Sequence, residues 1–203
     1  MILCDIGNSY FHFNKDGRIF DEKECSLKKE KIYFISVNDK KAQELKRKNP
    51  NSINLDKYVK FNTAYKGLGI DRIMACKTIS DGVVIDAGSA ITIDIMASDI
   101  HLGGYILPGI KAINDSYKQI SNKLDYNFIS QIDMNILPST TSEAISYGGI
   151  GMILSMIEKV SKNQKLYFTG GDGVYLSRFF DNSIYIKDLV FRGMKKTIKE
   201  NNI

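Results

Sequence analysis

The feature that most narrows the folding options of this 203-residue chain is an internal echo. Ile2-Leu3-Cys4-Asp5-Ile6-Gly7-Asn8-Ser9 returns in the second half as Val83-Val84-Ile85-Asp86-Ala87-Gly88-Ser89-Ala90. Each copy is an apolar strand-like run, then Asp-x-Gly with small residues, then a second β-like run: Tyr10 to Phe13 in one, Ile91 to Ile95 in the other. One Asp-x-Gly says little. Two copies with the same flanks, each opening one half of the chain, point to two related domains facing each other. Chance recurrence is the rival explanation, because Asp and Gly both favour turns. The length admits one large domain or two small ones, and the echo selects two, divided as 1–81 and 82–203.

Short β-like runs alternating with helical patterns place the chain in the α/β class. Asn14-Lys15-Asp16-Gly17 supplies a second turn before Arg18-Ile19-Phe20, so the first domain opens as a three-stranded meander. Lys31 to Val37 reads as a further strand, and Asp39 to Lys48 as a charged helix stopping before Pro50. In the second half a strand through Leu102-Gly103-Gly104-Tyr105-Ile106-Leu107 meets Pro108-Gly109, and a helix is expected from there to Leu124. Thr140 and Glu143 have capping-box spacing at the head of a helix expected to reach Lys162. Its apolar face, Ile145, Ile150, Ile153, Leu154 and Ile157, is too extensive to leave in water; a core contact and a subunit interface explain it equally well. Lys165 to Phe168 reads as a strand ending in the turn Thr169-Gly170-Gly171.

Charge excludes little and decides less. There are 28 Lys and Arg against 23 Asp and Glu, and the basic pairs lie far apart, so solvated helix faces explain them better than a nucleic-acid patch. Three cysteines, Cys4, Cys25 and Cys76, form neither a CxxC pair nor a disulfide framework. Two histidines, His12 and His101, are too few and too distant to mark a metal site, and neither has a triad partner in sequence. The chain opens directly on a strand-like run, without a charged leader or an apolar span of membrane length, and a cytoplasmic location is expected.

The candidate chemistry lies at the turns. Backbone N–H groups of a glycine turn can receive phosphates. Asp5 and Asp86 would hold a cation or its water shell beside them, as hard oxygen ligands, with Ser9 and Ser89 as hydroxyl donors. No GxxxxGK[ST] loop and no GxGxxG fingerprint occurs, so a nucleotide site here is of another kind. Gly69-Ile70-Asp71-Arg72 pairs a carboxylate with a guanidinium. Either this is a helix-start ion pair, or Asp71 accepts a hydroxyl proton while Arg72 grips an acid group on the same substrate. The chain offers no histidine near that motif, so a carboxylate must serve as base if any side chain does.

Taken in order, Asp5-Ile6-Gly7-Asn8-Ser9, Gly69-Ile70-Asp71-Arg72, Asp86-Ala87-Gly88-Ser89-Ala90, Gly103-Gly104 with Pro108-Gly109, Thr141-Ser142-Glu143-Ala144-Ile145, Thr169-Gly170-Gly171 and the closing Asp188 to Met194 resemble the type III pantothenate kinases. The resemblance implies two ribonuclease-H-like domains facing a nucleotide cleft, as in the actin, sugar kinase and heat-shock chaperone superfamily. It also implies a cytoplasmic homodimer that phosphorylates pantothenate with ATP, Mg²⁺ and a monovalent cation, K⁺ or NH₄⁺. Carried over by position, the nucleotide contacts fall on Asp5, Ile6, Gly7, Asn8, Ser9, Tyr10, Phe11, His12 and Ser89. The proton acceptor falls on Asp71, the cation ligand on Asp86, and the pantothenate contacts on Gly69, Ile70, Asp71, Arg72 and Thr141. Ser9 and Ser89 stand where the family has threonine, and Thr140 where it has asparagine. The family's Asn-Pro before the Gly-x-Asp-Arg motif is missing, which leaves Tyr65 as the nearest counterpart of its substrate-contacting tyrosine. The expected partners are pantothenate and a second copy of the chain, with neither nucleic acid nor membrane. The rivals are a kinase of another small acid or sugar, disfavoured because a neutral sugar gives Arg72 no anion, and a non-catalytic nucleotide-responsive regulator, which would have no use for a base at Asp71.

Overall fold

A computed structural model describes all residues from Met1 to Ile203. The chain forms two α/β units, each built on a five-stranded sheet. In the first, β1 (Ile2–Ile6), β2 (Phe11–Lys15), β3 (Arg18–Glu22), β4 (Ile32–Ser36) and β5 (Ile53–Asn54) lie in the order β3-β2-β1-β4-β5. The β1–β2 and β2–β3 pairs are antiparallel, whereas β1–β4 and β4–β5 are parallel. In the second, β6 (Gly82–Ala87), β7 (Ala90–Ala97), β8 (Ile100–Pro108), β9 (Leu166–Thr169) and β10 (Ser183–Tyr185) run β10-β9-β6-β7-β8. Numbered within each unit, both sheets have the order 3-2-1-4-5. The echoed segments are the central strands β1 and β6, so the repeat read from sequence is a repeat of topology.

Strand alternation sets the two carboxylates apart from the core. Ile2, Cys4 and Ile6 pack with Phe11, Phe13, Phe34 and Leu45 on one face of the first sheet. Asp5 alternates with them and is half-buried on the opposite face. Val83, Ile85 and Ala87 pack with Ile91, Ile93, Ile153 and Phe168 in the second unit, and Asp86 alternates in the same way. Each fully buried aliphatic or aromatic side chain contributes roughly 1.5–3 kcal/mol over exposure, which fixes strand register and with it the direction of both carboxylates.

Helices α1 (Asp39–Lys48), α2 (Ile70–Cys76) and α6 (Leu189–Asn201) belong to the first unit; α3 (Ile110–Ile120), α4 (Thr141–Ser161) and α5 (Gly173–Ser177) belong to the second. Asn38 caps α1 by accepting the Lys41 N–H, and three basic residues complement its C-terminal end. The α3 helix stops at Ile120, short of the expected Leu124, and a 3₁₀ turn follows.

The expected division at 81/82 needs correcting. The first unit comprises Met1–Ser80, Ala97–Leu102 and Asp188–Ile203, and the second comprises Asp81–Met96 and Gly103–Lys187. The physical reason for the return of the closing segment is the packing of α6 on α2. A Cβ at Gly193 would stand 2.0 Å from the Met74 carbonyl oxygen, so the backbones meet where only glycine fits. Lys196 Nζ donates to the Lys77 carbonyl at 2.9 Å and Asn201 Nδ2 to the Tyr58 carbonyl at 3.1 Å, tying the C-terminal half of α6 to the rest of the first unit. The stretch Ala97–Leu102 is the tip of the β7–β8 hairpin, turned by Ser98 and Asp99 with φ of 50° and 62°. Such a two-residue turn with both φ values positive matches strand twist.

Candidate active site

Between Ile6 and Phe11 the first hairpin spends four residues, Gly7 to Tyr10, closed by the Gly7 N–H donating to the Tyr10 carbonyl at 3.0 Å. Ile6 and Phe11 are wholly buried, so any contact they make with a nucleotide comes from backbone. Asn8, Ser9 and Tyr10 are exposed, and Asp5 and His12 are half-buried register partners on adjacent strands. His12 Nδ1 lies 2.7 Å from Asp21 Oδ1. The sequence reading passed over Lys41 as a charged face of α1. Its Nζ donates to the Ser9 carbonyl at 2.6 Å and sits 4.9 Å from the Phe11 ring centroid, so an ammonium group pins the turn.

The second hairpin is tighter by one residue. Gly88, Ser89 and Ala90 join Ala87 to Ile91, with the Gly88 N–H donating to the Ala90 carbonyl at 3.0 Å. Ser89 is exposed and Asp86 half-buried. The third glycine turn closes directly on Asp86. Gly170 has φ +81°, and a Cβ there would lie 2.5 Å from Asp86 Oδ1 and 2.4 Å from the Ala87 carbonyl oxygen. The Tyr185 hydroxyl donates to the Gly170 carbonyl at 3.3 Å, and the Asp172 N–H to the Ala87 carbonyl at 2.9 Å. Burial, and then the Asp86 charge, push the Tyr185 hydroxyl above its ordinary value; burial raises the Asp172 carboxyl. One carboxylate oxygen and one carbonyl oxygen therefore crowd a space that a side chain would fill. That donor set suits a large, weakly hydrated cation. Neither unit gathers three or more His, Cys, Asp or Glu side chains as a metal cluster.

The acceptor motif is set by the start of α2. Gly69 is the N-cap and has no side chain to offer; instead Asp71 Oδ1 accepts the Arg72 backbone N–H at 2.8 Å. The carboxylate lies back over the helix start, in space that an alanine at 69 would contest, since its Cβ would stand 2.5 Å from Asp71 Oδ1. Asp71 is half-buried, and Arg72 is only 5% exposed. The Arg72 guanidinium carbon stands 5.0 Å from the ring centroid of Tyr65, a cation–π contact. Tyr65, assigned from resemblance alone, thus meets the motif it was expected to serve.

A histidine does reach the tyrosine that stacks on this motif. His101 is 1% exposed and its ring centre stands 6.1 Å from that of Tyr65, edge-on. The β7–β8 tip carries it there, a long-range placement that residue spacing could not show.

Thr141 is exposed on the first turn of α4, in the second unit. The capping box expected there is present. Thr140 Oγ1 accepts the Glu143 N–H at 3.2 Å, and Glu143 Oε2 accepts the N–H groups of Thr140 and Ser139 at 3.0 and 2.7 Å. These donors hold the Glu143 carboxyl below its ordinary value. The apolar face of α4 is not available to a partner. Ile145, Ile150, Ile153, Leu154 and Ile157 are all buried, the last four in the second unit's own core, so of the two explanations the core contact holds. No helix is long and apolar enough to cross a membrane.

Residues 17–163 match the profile of the type III pantothenate kinase family. A type III pantothenate kinase of Wolinella succinogenes is 47% identical over 204 residues, covering 98% of this chain and 97% of that protein. One from Campylobacter jejuni serotype O:2 is 51% identical over 205 residues, covering 99% and 98%. Among solved structures, a conserved candidate Baf family transcriptional activator from C. jejuni is 48% identical with a TM-score of 0.89, covering 100% of this chain and 99% of that one. A candidate 2-dehydro-3-deoxygalactonokinase from Sinorhizobium meliloti is 10% identical with a TM-score of 0.56 over 98% of each chain, a likeness of fold alone.

Proposed function

The chain belongs to the type III pantothenate kinase family, whose ATP-dependent phosphorylation of pantothenate serves coenzyme A biosynthesis, and from that premise we propose how its residues divide the work. Asp71 is the proton acceptor. Its Oδ1 is held by the Arg72 N–H, which fixes the carboxylate and leaves Oδ2 for the primary hydroxyl of pantothenate. That oxygen attacks the γ-phosphorus of ATP, the bond from phosphorus to the β–γ bridging oxygen breaks, and the hydroxyl proton passes to Asp71. ADP and 4′-phosphopantothenate leave. Because the transition state is loose, most of the acceleration comes from positioning and charge stabilisation, with the base as a smaller aid.

Arg72 pairs with the carboxylate of pantothenate, and its burial strengthens that attraction. Gly69, Ile70 and Thr141 complete the acceptor contacts. Backbone N–H groups of the Gly7–Tyr10 turn, with Ser9, Ser89 and the Asp5–His12 strand ends, receive ATP. Asp5 would hold Mg²⁺ through water, where the ion neutralises phosphate charge; a single carboxylate suits an ion that keeps most of its waters. Asp86, with the Ala87 and Gly170 carbonyl oxygens, would hold K⁺ or NH₄⁺.

A cytoplasmic homodimer completes the reading. With the α4 face spent in the core, its support moves to exposed aliphatic groups of the second unit: Ile106, Ile136 and Leu137, the last 89% exposed. A monomeric mass by light scattering at micromolar concentration would sink the dimer. The observation that carries the catalytic assignment is the held Asp71 carboxylate beside a buried, ring-stacked Arg72. ADP release by purified protein with pantothenate, Mg²⁺ and K⁺ tests it, with sugars and acetate as alternative acceptors. Turnover dependent on pantothenate is expected. No turnover with any acceptor would instead favour the regulator named in the C. jejuni structure.

A further inference from the structure

A buried imidazole that the reaction does not use sits behind the acceptor site. His101 is 1% exposed, its backbone N–H donates to the Asn62 carbonyl at 2.9 Å, and its Nδ1 lies 2.7 Å from Thr63 Oγ1. The same Thr63 oxygen accepts the Tyr65 backbone N–H at 3.0 Å. The ring of Tyr65 then carries the Arg72 guanidinium at 5.0 Å and also meets the His101 ring in a T-shaped contact. All four side chains belong to the first unit. Phe61, 5.9 Å from His101 centre to centre, also packs against the imidazole.

We propose that His101 and Thr63 are positioning residues for acceptor recognition, holding Tyr65 so that its ring fixes Arg72 for the carboxylate of the substrate. The physical need is plain. Tyr65 lies in an irregular stretch, 39% exposed, with the isolated bridge between Thr63 and His101 ordering the backbone just before it. A loop ring left to itself samples several rotamers, and an arginine resting on it samples with it. Thr63 removes that freedom at the backbone of Tyr65, and the buried imidazole removes it at Thr63. The hydroxyl has two acceptor sites and one proton, so it can accept from Tyr65 and still share a hydrogen bond with Nδ1. This inference rests on Arg72 being the carboxylate partner; neither His101 nor Thr63 touches the reacting atoms, so their loss acts on the Michaelis constant for pantothenate.

Steady-state kinetics of the full chain test the relay. Thr63→Val keeps the shape and removes the hydroxyl; the Michaelis constant for pantothenate should rise about five-fold, the loss of one hydrogen bond's worth of order. The turnover number and the Michaelis constant for ATP should stay within about two-fold of the parent, since uniform binding alone is lost. Thr63→Ser restores the hydroxyl and should restore the parent value. His101→Asn places an amide near the position of Nδ1 and should be milder than His101→Leu. Arg72→Ala is run alongside. If it raises the pantothenate constant while Thr63→Val and His101→Leu lower only the melting temperature, the relay is overturned and the two residues are packing. If Arg72→Ala leaves that constant unchanged, the carboxylate reading itself fails and the relay falls with it.

Discussion

Asparagine at position 71 separates the two jobs that Asp71 performs. The parent carboxylate accepts the Arg72 N–H through Oδ1 at 2.8 Å, and an asparagine oxygen can do the same. Helix α2 should therefore start where it does now. What changes is the second oxygen, replaced by an amide that donates and cannot take a proton. A general base supplies typically about 10²–10⁴-fold, or roughly 3–5 kcal/mol of barrier at about 1.4 kcal/mol per decade. The turnover number of Asp71→Asn should fall by that much, with the Michaelis constant for ATP little altered and the thermal midpoint close to the parent. Asp71→Ala loses the same catalysis and also the helix-start hydrogen bond, at a net cost of about 1 kcal/mol in stability. ADP release under saturating ATP and K⁺, paired with thermal melts of both variants, reads the two effects separately. A turnover number for Asp71→Asn within about three-fold of the parent, far below the general-base range, would refute the reasoning and leave Asp71 a helix-start residue.

Three further outcomes follow from geometry already described. Gly170→Ala puts a Cβ 2.5 Å from Asp86 Oδ1 and 2.4 Å from a backbone oxygen, at φ +81°, so stimulation of activity by K⁺ over Na⁺ should shrink or vanish; undiminished stimulation would remove Gly170 from the cation site. Gly193→Ala drives a Cβ to within 2.0 Å of the Met74 carbonyl, a clash with backbone that repacking cannot relieve. Overpacking of this kind costs about 3 kcal/mol, so a fall of roughly 6–12 °C in melting temperature is expected; an unchanged melt would deny the close approach of α6 and α2. Glu143 has a carboxyl lowered from 4.5 by Ser139 and Thr140, so the stability it gives is complete above that value and lost as pH falls through the lowered one. The stability gap between the parent and Glu143→Ala should therefore close in acid, and a gap constant with pH would show the carboxylate is not its source.

Local patterns were legible in the sequence and long-range placements were not. The meander, the α1 helix and the Thr140–Glu143 capping box follow from residues a few positions apart, and all three are in the structure. So is the Asp-x-Gly repeat, because alternation along a strand fixes which way each Asp points. The edge strands β5 and β10 were missed: two and three residues long, they are strands only by virtue of the neighbour they pair with. Periodicity showed that one face of α4 must be buried but not against what, and the core of its own unit took it. His101 met Tyr65 through a hairpin tip, and Gly170 met Asp86 through a parallel strand pair. In both cases the sheet, rather than the spacing, supplied the neighbour. The departure of α6 to the first unit had no local sign beyond a glycine in a helix, which by itself only warns of a close contact.

That departure has a consequence for the order of assembly. During synthesis the β3-β2-β1-β4-β5 sheet leaves the ribosome first, yet the helix that packs beside α2 emerges only after every residue of the second unit has been made. A nascent chain stalled near Lys187 would hold a second unit with all its strands and helices, and a first unit missing α6. Domains made in sequence ordinarily fold in that sequence. Here the unit that carries Asp71 and Arg72 cannot be completed until the final segment, Asp188–Ile203, has been made.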